Sequence, residues 1–243
     1  MILSLLLILS VFLYGCEKGD SEEESGTVTD YDGNVYKTVK IGTQVWMASN
    51  LRVTHYADGT EIPLVTGDSQ WENMGNNSID KAYCWYDNNV TLHGTDWGAL
   101  YTWAAAMNGA AESSSNPSGV QGACPTGWHI PSHAEWQELE DYLSSEGYTD
   151  NEGTVLKAQN GWDDDNGENG NGTDVYEFAA LPGGSRSTNY GTFSFGGRSG
   201  YWKSATEFDN NNAYGVHLGN YRTDMLFGDY LKGNGASVRC VKD

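Results

Sequence analysis

The stretch Gly122 to Leu143, GACPTGWHIPSHAEWQELEDYL, constrains the fold more than any other. Pro125, Gly127 and Pro131 punctuate its approach, and Ser132 stands three residues before Glu135. That spacing is the pattern of a capping box, in which each side chain takes a backbone N–H at the helix start. Behind the cap, Trp136, Leu139 and Leu143 recur at i, i+3 and i+7, which places them on one helical face. Gly147 is positioned to end the helix. A Trp-led helix with a fixed entry needs a core to pack on, and Cys124 just upstream can tie that core to a distant segment.

The chain can supply such a core. Its 243 residues fit one domain or two small ones, and no repeat or mid-chain linker separates two cores. Hydrophobic residues make up 38%, with nine Trp and fifteen Tyr, enough for one sizeable core. The 31 Gly against 5 Pro predict many turns between short strands. Val35 to Val39 alternates with period two, Gly42-Thr43 can turn the chain, and Gln44 to Met47 can return it as a hairpin with Trp46 and Leu51 inward. Thr54 to Asn77 reads as loop. Lys81 to Tyr86 reads as a short aromatic strand. Gly98 to Asn108 reads as a second helix, with Leu100, Trp103, Ala104 and Met107 on one face and Asn108-Gly109 as its stop. A short helical turn is expected within Tyr148 to Ala158, and strands at Val175–Leu181, Tyr201–Ser204, Ala213–Leu218, Met225–Phe227 and Ala236–Val241. Trp46, Trp103, Trp128 and Trp136 fall on periodic apolar faces and are expected in the core. The fold class is α+β: two main helices packed on a twisted, mainly antiparallel sheet with long loops.

The formal net charge of −20 argues against a nucleic-acid partner, because affinity for phosphates comes from Lys and Arg. It also argues against direct adsorption to an anionic membrane, and it serves solubility. At the N-terminus, ILSLLLILSVFLY at 2–14 is short for a transmembrane helix and suits the apolar region of a signal peptide. It leads into Leu13-Tyr14-Gly15-Cys16, similar to a bacterial lipobox, in which Cys16 would carry the lipid. Tyr14 is bulkier than the residue usual there, and the missing basic region leaves room for a start upstream of Met1; a plain signal peptide with an incidental cysteine is the alternative. EKGDSEEESG follows, polar and acidic, as expected of a disordered tether. The resulting division is a signal peptide at 1–15, a lipidated acidic tether at 16–29 and one domain at 30–243.

CPTGWHIPSHAEW, preceded by GALYTWAAAMNG and followed at the C-terminus by SVRCVKD, resembles the Fibrobacter succinogenes major paralogous domain over about Val35 to Asp243. That family occurs in surface lipoproteins of Bacteroidetes and Fibrobacteres. The resemblance implies a C-type-lectin-like fold, related to the formylglycine-generating enzyme domain, and little about activity. It also implies a location: an acidic stretch after the lipid cysteine resembles a surface-export signal, so display on the outer membrane is expected, with the lipid as the only membrane contact. Lectin-like folds join a helix-proximal cysteine to the last strand, which pairs Cys124 with Cys240 and leaves Cys84 as a buried free thiol.

Chemistry-bearing clusters are few. His129 and His133 are four apart, but Pro131 between them breaks the helical spacing a metal pair needs, so both are expected to be structural or exposed. No nucleophile elbow, phosphate loop or dinucleotide fingerprint occurs, and the active-site cysteine pair of the formylglycine-generating enzyme has no counterpart; a non-catalytic role is expected. The loop at 160–174, NGWDDDNGENGNGTD, offers oxygen ligands from Asp163, Asp165, Asn171 and Asp174. They are calcium candidates, against the plainer reading of a solvated loop, and the EF-hand and lectin calcium signatures are absent. No other cofactor is expected.

Tyr214 to Gly233 mixes aromatics with Asn, Arg, Asp and His, and in lectin-like folds this late region commonly carries the ligand face. Tyr221, Arg222, Phe227 and Tyr230 are the binding candidates, since interface energy concentrates in aromatic and Arg anchors; ordinary strands with Tyr214 and Leu218 inward are the competing reading. The expected function is a surface-anchored binding module for a glycan or protein ligand. The alternatives are a structural subunit of a surface assembly and a ligand-binding protein diversified by a retroelement, as in related lectin-like lipoproteins.

Overall fold

The structure, a computed structural model, describes residues 26–243. The apolar run at 2–14, the lipidation candidate Cys16 and the first part of the acidic tether lie outside the described residues. The last part of the expected tether is instead a strand: β1 (Gly26–Thr29) pairs antiparallel with β2 (Val35–Ile41). Its sequence, GTVT, leaves the acidic composition behind, and its β-branched residues suit an edge strand, here largely exposed. The hairpin continues from β2 into β3 (Gln44–Met47), pairing Val39 with Trp46 across the Gly42-Thr43 turn. Two short strands far along the chain, β6 (Trp128–His129) and β12 (Val241–Lys242), complete a five-stranded sheet of order β1-β2-β3-β12-β6.

Alternation in β2 and β3 gives this sheet two apolar faces. Tyr36 and Met47 point into one cluster with Leu51, Trp103, Trp128 and Val238; Val39, Ile41 and Trp46 point into a second, with Trp136, Leu139 and Leu143. Trp46, Trp103, Trp128 and Trp136 are all buried, as their periodicity implies. The second cluster is where α4 (His133–Leu143) docks. Its capping box is complete: Ser132 Oγ accepts from Glu135 N at 3.1 Å, and Glu135 Oε2 accepts from Ser132 N at 2.8 Å. Gln44 Nε2 donates to Glu135 O at 2.9 Å, and the Trp46 and Trp136 rings lie 4.5 Å apart, so the hairpin and the helix lock together at the cap. Cys124 and Cys240 form a disulfide with Cα atoms 6.0 Å apart, joining the approach to α4 with the residue before β12.

The second half of the fold is a three-stranded antiparallel sheet of β9 (Ser199–Glu207), β10 (Asn212–Gly219) and β11 (Leu226–Leu231), in the order β11-β10-β9. Two small ribbons flank it, β4 (Tyr83–Cys84) with β5 (Leu100–Tyr101) and β7 (Ser185–Arg186) with β8 (Phe193–Ser194). The remaining helices are short: α1 (Asp68–Glu72), α2 (Val90–His93), α3 (Trp103–Met107) and α5 (Glu152–Leu156). The class is mixed α+β with mostly antiparallel sheet and few helices.

Of the strand expected at Ala236–Val241 only Val241 lies in a strand, β12, while Ala236 and Ser237 make isolated bridges to Tyr101 and Trp202. Three further expectations need correction. One helix, not two, is long: the segment 98–108 splits into β5 and the five-residue α3, because Leu100 and Tyr101 pair with β4 before Thr102 caps the helix through Ala105 N at 3.2 Å. Asn108, in the left-handed region at φ 52°, does terminate it. Val175–Leu181 is not a strand; Glu177 and Ala179 have positive φ, and only Ala180 bridges to Lys157. The loop expected over 54–77 contains α1, whose Trp71 is buried against Leu100 and Cys84.

Candidate functional site

Cross-strand partners in an antiparallel sheet share a face, so register decides which residues meet. On one face of the three-stranded sheet, Tyr201 pairs with His217, Lys203 with Gly215, and Tyr230 with Ala213. Gly215 carries no side chain, and the Tyr230 ring occupies that space; a Cβ there would lie 2.9 Å from Tyr230 Cδ2. This face and the β7–β8 ribbon enclose a cavity of about 340 Å³ lined by Tyr190, Phe195, Tyr201, Lys203, Gly215 and Tyr230 among others. The volume is at the small end of the roughly 300–1,000 Å³ typical of small-ligand sites.

The walls are aromatic. Tyr201 stacks on His217 at 4.7 Å and meets Tyr230 edge-on at 5.6 Å and Phe195 at 6.3 Å. Phe195 and Tyr190 are 52% and 73% exposed, so apolar rings face solvent at the rim. Arg186 holds the ribbon that bears them. Its fully buried guanidinium lies between the Trp71 and Phe193 rings and donates to Gly191 O, Val65 O, Thr66 O and Asp68 Oδ1 at 2.7–2.9 Å. The floor carries Lys203, 6% exposed, whose Nζ donates to Asn234 O at 2.9 Å. Burial pushes its pKa down to about 7. His217 is held down, to about 4, by burial and by Arg222, so it backs the Tyr201 ring as a neutral imidazole.

The four binding candidates divide. Tyr230 lines the cavity, and Tyr221, 56% exposed, continues the aromatic strip past His217 at 6.5 Å. Arg222 is tied to Asp224 by two hydrogen bonds at 2.8 and 2.6 Å beside the Tyr221 ring. Phe227 is on the other face: it pairs with Val216, meets His133 edge-on at 5.0 Å and packs on the second core cluster. An odd spacing of three from Tyr230 puts the two rings on opposite sides of β11. Lys203, Tyr201, Tyr190 and Arg186 were not among the sequence candidates. The available signal was period two across β9, where Lys203 is an inward lysine flanked by Tyr201 and Ala205 at i±2.

The calcium candidates are not gathered. Asn171 Oδ1 accepts from Trp162 N at 2.9 Å, Asp174 Oδ1 from Ala179 N at 2.8 Å, and Asp165 Oδ2 from Asn166 Nδ2 at 3.1 Å. Asp163 is held through its backbone by Gly197 and Asn220. Among the described residues no three His, Cys, Asp or Glu side chains converge as a metal site. These loop oxygens instead satisfy local N–H groups, as Asx turns do.

The remaining polar clusters are structural in geometry. His129 is buried between Glu135 Oε1 at 2.6 Å and Asp243 Oδ1 at 2.7 Å. His133 stacks on Tyr214 at 4.3 Å, away from His129's partners. Asp32 and Thr54 both meet Nδ1 of His55, so the trio is not a relay from hydroxyl through imidazole to carboxylate. Cys84 is buried, and burial pushes its thiol up to about 12, the reverse of what a thiolate nucleophile needs.

No curated protein and no solved structure matches the chain. A sequence profile of the Fibrobacter succinogenes major domain matches residues 39–242, which takes in the three-stranded sheet, α4, the disulfide, the cavity and the five-stranded sheet from Val39 of β2 onward. With that match over most of its length, and with the CPTGWHIPSHAEW block forming the capped helix at its centre, the chain belongs to the Fibrobacter succinogenes major domain family.

Proposed function

We propose that this chain is a surface-anchored lipoprotein whose single domain, on a C-type-lectin-like frame, binds a glycan in the cavity above β9-β10-β11. The observation that carries the reading is the cavity's wall of Tyr190, Phe195, Tyr201 and Tyr230, with two of those rings exposed. Such rings give rigid contact area at low entropy cost and suit the apolar face of a sugar ring. The serine and threonine hydroxyls of the β7–β8 ribbon (Ser185, Thr192 and Ser194) supply the polar contacts that orient a ligand. The late position of these strands in the chain is where a lectin-like fold carries its ligand face. The role is binding without catalysis: the cavity lining holds one charged side chain and no acid–base pair.

A glycan array probed with the chain carrying Cys16→Ser should give saccharide-specific signal, and Tyr201→Ala should remove it. Signal that survives Tyr201→Ala places binding elsewhere. The anchor is tested separately: Cys16→Ala should move the protein from the membrane fraction to the soluble one, and continued partition with membranes would refute lipidation there.

A further inference from the structure

Five cations are buried among the described residues, and most of their donors are taken by the protein itself. Arg186 makes four hydrogen bonds and lies between two rings. Arg239 donates to Phe178 O, Ala179 O and Asn50 Oδ1; its Nε has no partner, but the residue does not line the cavity. Lys157 donates to Gly219 O and Arg222 O at 3.0 Å each. Lys232 pairs with Glu207 and donates to Asn210 O. Lys203 makes a single hydrogen bond, to the carbonyl of Asn234, and among the described residues no carboxylate pairs with it. An ammonium has three donors. Register points the Lys203 side chain, opposite the bare Gly215, into the aromatic cavity.

The charge distribution singles out the same atom. The chain has 33 acidic and 13 basic residues, yet the cavity lining contains no carboxylate and one cation, Lys203. A buried ammonium without an opposite charge is costly, and a carboxylate delivered by a ligand removes that cost. The aromatic rings beside it need an apolar face on the same ligand.

We propose that the cavity takes a carboxylate-bearing saccharide residue, of the uronic or sialic acid class, with the carboxylate on Nζ of Lys203 and the sugar ring against Tyr201 and Tyr230. This rests on the glycan-binding reading and specifies its ligand. The depressed pKa of Lys203 agrees with it, since a ligand carboxylate would restore the charged form. Phe195 and Tyr190, exposed at the rim, are placed to meet the rest of an oligosaccharide.

The test is calorimetric titration of the full chain carrying Cys16→Ser with four probes: methyl galacturonoside, the methyl glycoside of N-acetylneuraminate, neutral methyl galactoside and N-acetylalanine. At least one acidic sugar should bind about tenfold or more tighter than the neutral one, the effect expected of a hydrogen bond between charged groups. The two acidic arms distinguish a carboxylate on the sugar ring's C5 from one on its anomeric carbon. In Lys203→Met the acidic preference should vanish while weak neutral binding persists. Equal affinity for acidic and neutral sugars overturns the acid-sugar assignment and leaves glycan binding standing. Binding of no sugar overturns both, and capture of N-acetylalanine alone assigns the lysine to a peptide-like carboxylate instead. Should Lys203→Met fail to fold, lysine side-chain NMR of the chain without that change decides. The acidic sugar must raise the midpoint of the lysine that titrates near 7, and an unmoved midpoint refutes the contact.

Discussion

Trp136 and Tyr221 show how differently two aromatics of one chain are used. Trp136 is buried against Trp46 and Phe178, so Trp136→Ala should destabilise by about 3–5 kcal/mol in denaturant unfolding, the range for emptying a large aromatic site. Tyr221 is 56% exposed, and Tyr221→Ala should leave the unfolding midpoint within about 0.5 kcal/mol of the parent. His129 gives a pH signature at the same scale. Burial opposes its charge, but the hydrogen bonds and charges of Glu135 and Asp243 outweigh burial and raise its pKa. The native state therefore holds the proton more tightly than the unfolded one. That stability is fully present below the ordinary histidine value and lost as pH rises through the raised one. Unfolding curves of the parent against His129→Gln should converge as pH climbs past the raised value; a gap constant with pH would show that the pair does not titrate in that range.

At the scale of elements, the capped α4 was written plainly in the chain. Ser132→Ala removes the acceptor for Glu135 N and should cost about 1 kcal/mol, measured by thermal or urea unfolding, in the typical range for an N-cap serine. Other elements resisted reading for a physical reason. Segment 98–108 has a helical apolar period, but its first residues gain more from pairing Leu100 with Cys84 in a ribbon, a contact between strands that no local pattern encodes. Val175–Leu181 has strand-like composition, yet the chain there is committed to turns that bring Phe178 onto Trp46 and its backbone carbonyl onto Arg239. The aromatic strip was half legible: the aromatic density of Tyr214–Gly233 was visible, but whether Phe227 and Tyr230 share a face depends on β11 being a continuous strand.

At the scale of the whole molecule, the disulfide closes a separation of 116 residues. Replacing Cys240 with Ser should lower stability by about 4–5 kcal/mol in a chain-entropy account, which urea unfolding of oxidised parent and variant would read. The pH dependence of the fold carries a second global term from Lys203, whose folded pKa is near 7 against an ordinary 10.5. Between those values the unfolded chain holds a proton that the native one has released, so stability from this residue rises with pH across that window, by at most about 1.4 kcal/mol per pH unit. A parent whose stability relative to Lys203→Met stays flat from pH 7 to 10 would contradict it. The sequence by itself determined the family, the antiparallel α+β class, the entry of α4 and the burial of Trp46, Trp103, Trp128 and Trp136, because caps, periodicities and apolar faces act between near neighbours in the chain. The Cys124–Cys240 pairing came with the family resemblance and is present in the fold. Only the tertiary structure decided the cavity. Tyr190, Tyr201, Lys203 and Tyr230 come from two strands and the turn of a ribbon, and their meeting depends on register, on the bare Gly215 of the strand between and on the Arg186 clamp, none of which is a local property of the chain.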